Sequence, residues 1–337
     1  ASNILDGPKP IWPGSVAIKN VEEARKAVRD ARAAGADFIK VYSLLSPEAF
    51  RAIAAECNAL GIPFAGHCPS LISAREVSDL GMASMEHLYG IRPGCSSREA
   101  ELIAGRARAF DEAKGDWNAA RPRLEAIDAE VRASYRPDLA DSLFAKLKAN
   151  GTRQCPTLSV LRAMASMDDP KLADDPRMKY IDPFSRMFWN PKSDFRMKSM
   201  KAEDFVAQRK SYEWGAARVG DMARAGVPIL AGTDEGNPNI FPGFTLHDEL
   251  GLLVTAGLTP MQALQAATIG PARFLGREAT LGSIDAGKEA DLVLLDADPT
   301  ADIANTTKIR AVVARGRIHD RAALDALLKS CEYPMPK

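Results

Sequence analysis

Lys40, His67, His87 and Asp234 bring an amine, two imidazoles and a carboxylate to the downstream ends of four short apolar runs. The runs are 37–42, 63–68, 84–88 and 228–234, and each reads as a buried strand. In a parallel α/β barrel the downstream strand ends converge on one face, so residues far apart in sequence meet there. Two imidazoles, a carboxylate and an amine gathered in one pocket suit a metal-assisted hydrolase.

The elements that must position these residues are signalled by helix caps. Asn20 with Glu23 and Ser73 with Glu76 pair an N-cap residue with a glutamate three positions on, and Ser46-Pro47-Glu48 supplies a cap, a first-turn proline and an acid. Helices are therefore expected from 21, 47 and 74. Gly35, Gly61, Gly81 and Gly226 fall where those helices, and one over 201–225, should end, each just before one of the four strands.

Strands alternating with helices and apolar on both sides imply a parallel sheet buried beneath helices. The candidate ligands sit at several strand ends rather than at one switch point, so a (β/α)8 barrel of the TIM type fits better than an open doubly wound sheet. A further strand is expected over 153–161. Two helical insertions, 97–149 and 165–200, are candidates for a lid or an oligomer contact, with plain surface helices as the competing reading. Thr259, Pro260 and Gln262 start another capped helix, which Gly270-Pro271 should interrupt. Strands within 290–296 and 309–319 form a separate small β-layer. The expected division is a barrel over 1–276, part of a small β-sandwich over 277–325, and a tail over 326–337.

At 337 residues and 46% hydrophobic content the chain can bury a large core. Lys plus Arg and Asp plus Glu number 44 each, so no field of either sign recommends nucleic acid or an anionic membrane as partner. A small-molecule substrate is the better match. No run reaches the roughly 18 apolar residues of a membrane span, and a soluble chain is expected, cytoplasmic ahead of secreted or periplasmic. Cys57, Cys68, Cys95, Cys155 and Cys331 are odd in number and widely spaced, unlike a disulfide framework or a zinc knuckle.

Taken together, Phe38-Ile-Lys-Val-Tyr42, Gly66-His67, Glu86-His87-Leu88, Gly232-Thr-Asp234 and Ala290-Asp-Leu-Val-Leu-Leu-Asp296 resemble the amidohydrolase superfamily, within it the imidazolonepropionase-like and prolidase-like metal-dependent enzymes. The resemblance implies that the four runs are the fourth, fifth, sixth and eighth barrel strands. It also implies an H-x-H pair on the first strand, and the only histidines here are His67, His87, His247 and His319, none spaced that way. The first two barrel strands and half of the sandwich are therefore expected in an N-terminal segment of the same gene product.

By the same resemblance the site holds two divalent metal ions, zinc by ligand type, with Lys40, His67, His87 and Asp234 as ligands. Lys40 carries carbon dioxide as a bridging carbamate, which fits an amine disfavoured as a cation in a crowded barrel mouth. A metal-bridging hydroxide attacks the carbonyl of an amide, and Asp234 carries its proton to the leaving amine. Deamination on this fold uses a glutamate three residues after the fifth-strand histidine, where this chain has Ser70. Peptide-like substrates, N-acyl amino acids and cyclic amides all fit, as would a lactone or ester; a non-catalytic fragment that needs a partner segment is the competing class. Tyr42, Tyr89 and His247 are candidate substrate contacts, against a plain packing role, and His319 reads as structural. A homo-oligomer is compatible with all of this.

Overall fold

The computed structural model describes residues 1–114 and 116–334. The chain divides into two units, Ala1–Pro156 with Asp221–Ile229, and Thr157–Gly220 with Leu230–Lys337.

The first unit opens with β1 (Ile4–Asp6) and β2 (Val16–Ala17). It continues as α1 (Val21–Ala33), β3 (Ile39–Val41), α2 (Pro47–Leu60), β4 (Phe64–Gly66), α3 (Ala74–Asp79) and β5 (Ser84–Glu86). After a short α4 (Ile91–Gly94) come α5 (Glu99–Glu112), α6 (Trp117–Ala133), α7 (Pro137–Asn150) and β6 (Arg153–Cys155). The six strands form one sheet in the order β2-β1-β3-β4-β5-β6, with every neighbour parallel.

The caps behave as their side chains dictate. Asn20, Ser46 and Ser73 accept the backbone N–H of Glu23, Ala49 and Glu76 at 2.9, 3.2 and 3.2 Å, which satisfies one otherwise orphaned donor in each first turn. Gly61 closes α2 at φ 62°, a left-handed conformation that glycine adopts without a Cβ penalty. In β3, Ile39 and Val41 are fully buried, and pleating turns Lys40 to the opposite side of the sheet.

The second unit begins with α8 (Leu158–Ala165), α9 (Pro183–Phe188) and α10 (Ala202–Ala225), the last turn of which, from Asp221, belongs to the first unit. Next are α11 (Thr245–Thr255), α12 (Pro260–Ala267) and α13 (Ile269–Phe274). Thr259 and Gln262 form a reciprocal capping box at the start of α12. An antiparallel sheet of β7 (Leu292–Leu295), β8 (Ile309–Ala314) and β9 (Arg317–His319) is followed by α14 (Arg321–Ser330). Glu249 of α11 is fully buried and accepts the N–H groups of Leu158 and Ser159 at 2.9 and 2.6 Å, so it caps α8 from a distant part of the chain.

Four expectations need correction. The run 153–161 is a strand only to Cys155, and α8 starts at Leu158 once Thr157 turns the chain at φ 49°. The run 228–234 makes one parallel bridge, Gln154 with Ile229, and no regular strand. Upstream of Lys40 the chain supplies β1 and β2 ahead of the helix expected from 21, two strands that the sequence reading did not place. The break after α12 falls at Thr268, and Gly270-Pro271 lies inside α13, because a proline in the first turn of a helix has no N–H to miss. Of the tail expected over 326–337, the part to Ser330 is helical and residues 335–337 lie outside the described residues.

Candidate metal centre

Sheet register decides which side chains meet in the first unit. Val41, Gly66, Met85 and Gln154 lie in one ladder row. Lys40 sits one residue before that row and Glu86 one residue after it, so pleating turns both to the same side. His67 directly follows Gly66 and shares that side. His87 would face the other way if β5 continued, but its φ of 56°, followed by 62° at Leu88, turns the chain back. Two successive non-glycine residues in left-handed conformation are costly, and such conformations cluster at functional sites.

The result is a compact donor set. One ligand atom from each of His67, Glu86 and His87 lies within 4.8 Å of the others. His67 and His87 are 4% and 6% exposed. Their rings meet edge to face at 4.7 Å, and Lys40 Nζ is ion-paired to the Glu86 carboxylate. His87 Nε2 lies 3.6 Å from Glu86 Oε2. Burial, then the neighbouring His87 and Lys40, holds His67 well below the ordinary histidine pKa, which keeps it a neutral imidazole able to donate a lone pair. Ser43 Oγ lies 2.7 Å from His67 Nδ1.

Gly66 makes this packing feasible. A Cβ there would stand 2.2 Å from the Val41 carbonyl oxygen and 3.2 Å from Lys40 Cδ, and its φ is 134°. Aromatic side chains wall the same place. Tyr42 stacks on His67 at 3.7 Å between centroids, Tyr89 meets His67 at 4.8 Å, and Trp12 Nε1 donates to the Tyr42 hydroxyl at 2.6 Å.

Lys40, His67, His87, Tyr42 and Tyr89 are thus brought together in one unit. Asp234 and His247 belong to the second unit. Asp234 is exposed at φ 57°, and its carboxylate accepts the Asn237 amide N–H at 2.8 Å. His247 is half-buried in α11, and burial lowers its pKa. His319 pairs with Val312 across the small antiparallel sheet, in keeping with a structural residue. Glu86 is the member that sequence reasoning passed over. Neighbours in a continuing strand face opposite ways, so only the positive φ at His87 and Leu88 brings the two side chains together.

Comparison with known proteins finds likeness to one family over part of the chain. Residues 185–319 match the model of the amidohydrolase family. The matched segment contains Asp234 and the small antiparallel sheet, while His67, Glu86 and His87 lie upstream of it. An imidazolonepropionase of Shouchella clausii (strain KSM-K16) is 46% identical over 77 residues, 23% of this chain and 17% of that protein. Among solved structures, the bottromycin amidohydrolase shares the fold with a TM-score of 0.71 at 23% identity, over 98% of this chain and 66% of its own. A Xaa-Pro dipeptidase follows with a TM-score of 0.58 at 19% identity, over 93% of this chain and 63% of its own. The chain therefore spans about two thirds of these solved relatives, and the curated match covers a smaller share still. Among the described residues no helix is long and apolar enough to cross a membrane.

Proposed function

We propose that this chain carries the chemistry of a metal-dependent hydrolase that cleaves a C–N amide bond in a small molecule. The observation that carries this reading is the convergence of His67, Glu86 and His87, within 4.8 Å of one another, on ends of neighbouring parallel strands. Neutral imidazoles and carboxylate oxygens are the ligands that zinc and similar divalent ions take, so the residues present fit such an ion. A divalent metal bound there supplies Lewis acidity for the scissile carbonyl and lowers the pKa of water toward neutrality.

The chain's own residues account for the rest. His67 and His87 would hold such an ion, and Lys40, once parted from Glu86, deprotonated to solvent and joined to carbon dioxide as a carbamate, would add an anionic ligand. Asp234 takes the proton of the attacking water and returns it to the leaving amine. Tyr42 and Tyr89 wall the position of the substrate. The six parallel strands and the likeness to amidohydrolase folds support a (β/α)8 barrel, and the antiparallel sheet supports one layer of a small sandwich.

The test is hydrolysis by the full chain supplied with zinc, against dipeptides, N-acyl amino acids, cyclic amides and lactones, with chelated protein as control. Metal-dependent release of an amine is expected. Turnover of lactones alone would move the reading to an esterase, and absence of any metal-dependent turnover would leave a non-catalytic fragment.

A further inference from the structure

Ser43 is held from two directions. Its carbonyl accepts the Ser70 N–H at 2.9 Å, and the N–H of the next residue, Leu44, is accepted by Asp6 Oδ1 at 2.7 Å. Asp6 ends β1, is 1% exposed, and is 38 residues from Leu44 in sequence. Gly7 presses the same turn, since a Cβ there would lie 2.1 Å from the Leu44 carbonyl oxygen. The Asp6 Oδ2 atom is buried with no hydrogen-bond partner. Burial raises the pKa of this carboxyl even against the backbone N–H groups of Leu44, Gly7 and Ile11, so those contacts return less than the desolvation costs. Its use is positional.

We propose that Asp6 is a positioning residue for His67, acting through the Tyr42–Leu44 turn. By fixing the Leu44 N–H it sets Ser43 Oγ against His67 Nδ1 and Tyr42 in a stack on the imidazole, the ring planes 28° apart. A neutral imidazole carries one N–H, and with that proton on Nδ1 donating to Ser43 Oγ, the Nε2 lone pair is the one directed outward to a ligand. The same turn thus selects the tautomer and the ring plane together. This rests on the reading of His67 as a metal ligand, and the experiment separates the two.

The full chain, metal-free, is examined by long-range proton–nitrogen correlation spectra of the His67 ring and then titrated with zinc, as wild type and as Ser43→Ala, Asp6→Ala, Asp6→Asn and His67→Ala. The Nδ1–H tautomer is expected in the wild type. Ser43→Ala and Asp6→Ala should populate the Nε2–H tautomer and weaken zinc about tenfold, in the range for loss of a partner that orients a ligand. Asp6→Asn keeps an oxygen for the Leu44 N–H and should restore both readouts. If Asp6→Ala does not fold, Gly7→Ala displaces the same turn and is read in the same way. A wild-type tautomer and zinc affinity in Asp6→Ala, beside a zinc-sensitive His67→Ala, would overturn the role of Asp6 alone. Zinc affinity unmoved by His67→Ala would overturn the ligand reading, and this proposal with it.

Discussion

Lys40 and Glu86 face each other across the ends of β3 and β5, the ammonium paired with the carboxylate, each side chain 19% exposed. The pair sets two opposite charges beside the His67–His87 edge contact, each compensated by its partner. A pair this far from solvent is costly to break from one side, since the remaining charge stays partly desolvated. Glu86→Gln should therefore destabilise the metal-free chain by about 1–3 kcal/mol. Urea unfolding checks this, and an unchanged midpoint would show that the contact adds nothing to stability.

Gly66 is the second sensitive point. A methyl group at this position meets the Val41 carbonyl oxygen at 2.2 Å, in a backbone conformation that L residues rarely adopt. Gly66→Ala should cost about 3 kcal/mol or more, because clash and strain add. Thermal unfolding and the His67 ring signals report it; a variant as stable as the wild type would show that β3 and β4 can part without penalty.

Glu249 gives the fold a pH dependence. Burial pushes its carboxyl from 4.5 to about 7, against the backbone N–H groups of Ser159 and Leu158 that pull the other way. Between those two values the folded chain binds more protons than the unfolded chain, so stability falls as pH rises through this window. The loss is on the order of 3 kcal/mol for a group this buried. Glu249→Gln should remove the slope between pH 4.5 and about 7, measured by denaturant midpoints across the range. An identical slope in the variant would place the titration elsewhere.

The local signals in the sequence were strong where one side chain decides the outcome. Asn20, Ser46, Ser73 and Thr259 each cap a helix as expected, because a cap is settled within three residues. What escaped depends on contacts between distant segments or on rare backbone states. Pro228–Asp234 has the composition of a buried strand, yet only Ile229 pairs. Thr157 turns the 153–161 run into a helix, at an end held by Glu249 from α11. Glu86 joins His87 through positive φ at His87 and Leu88, which no alternation pattern forecasts. The clustering of Lys40, His67 and His87 was legible because their runs read as successive parallel strands, and β3, β4 and β5 do lie side by side.

Asp234 carries the proposed proton transfer. Its left-handed conformation and its Asn237 partner hold the carboxylate in a defined turn. Asp234→Asn should lower hydrolysis by about a hundredfold or more, the scale of general acid–base catalysis, with little change in unfolding midpoint. Steady-state rates on an amide found in the substrate screen check this, and a variant with wild-type kcat would remove Asp234 from the chemistry.

The account rests most directly on metal held by the two histidines. Metal per chain, measured by plasma mass spectrometry on full chain purified without chelators, should be stoichiometric in the wild type and fall in both His67→Ala and His87→Ala. His319→Ala, altered in the small antiparallel sheet, should keep the wild-type content. Equal metal in all four proteins, or none in the wild type after zinc is supplied, would contradict the site.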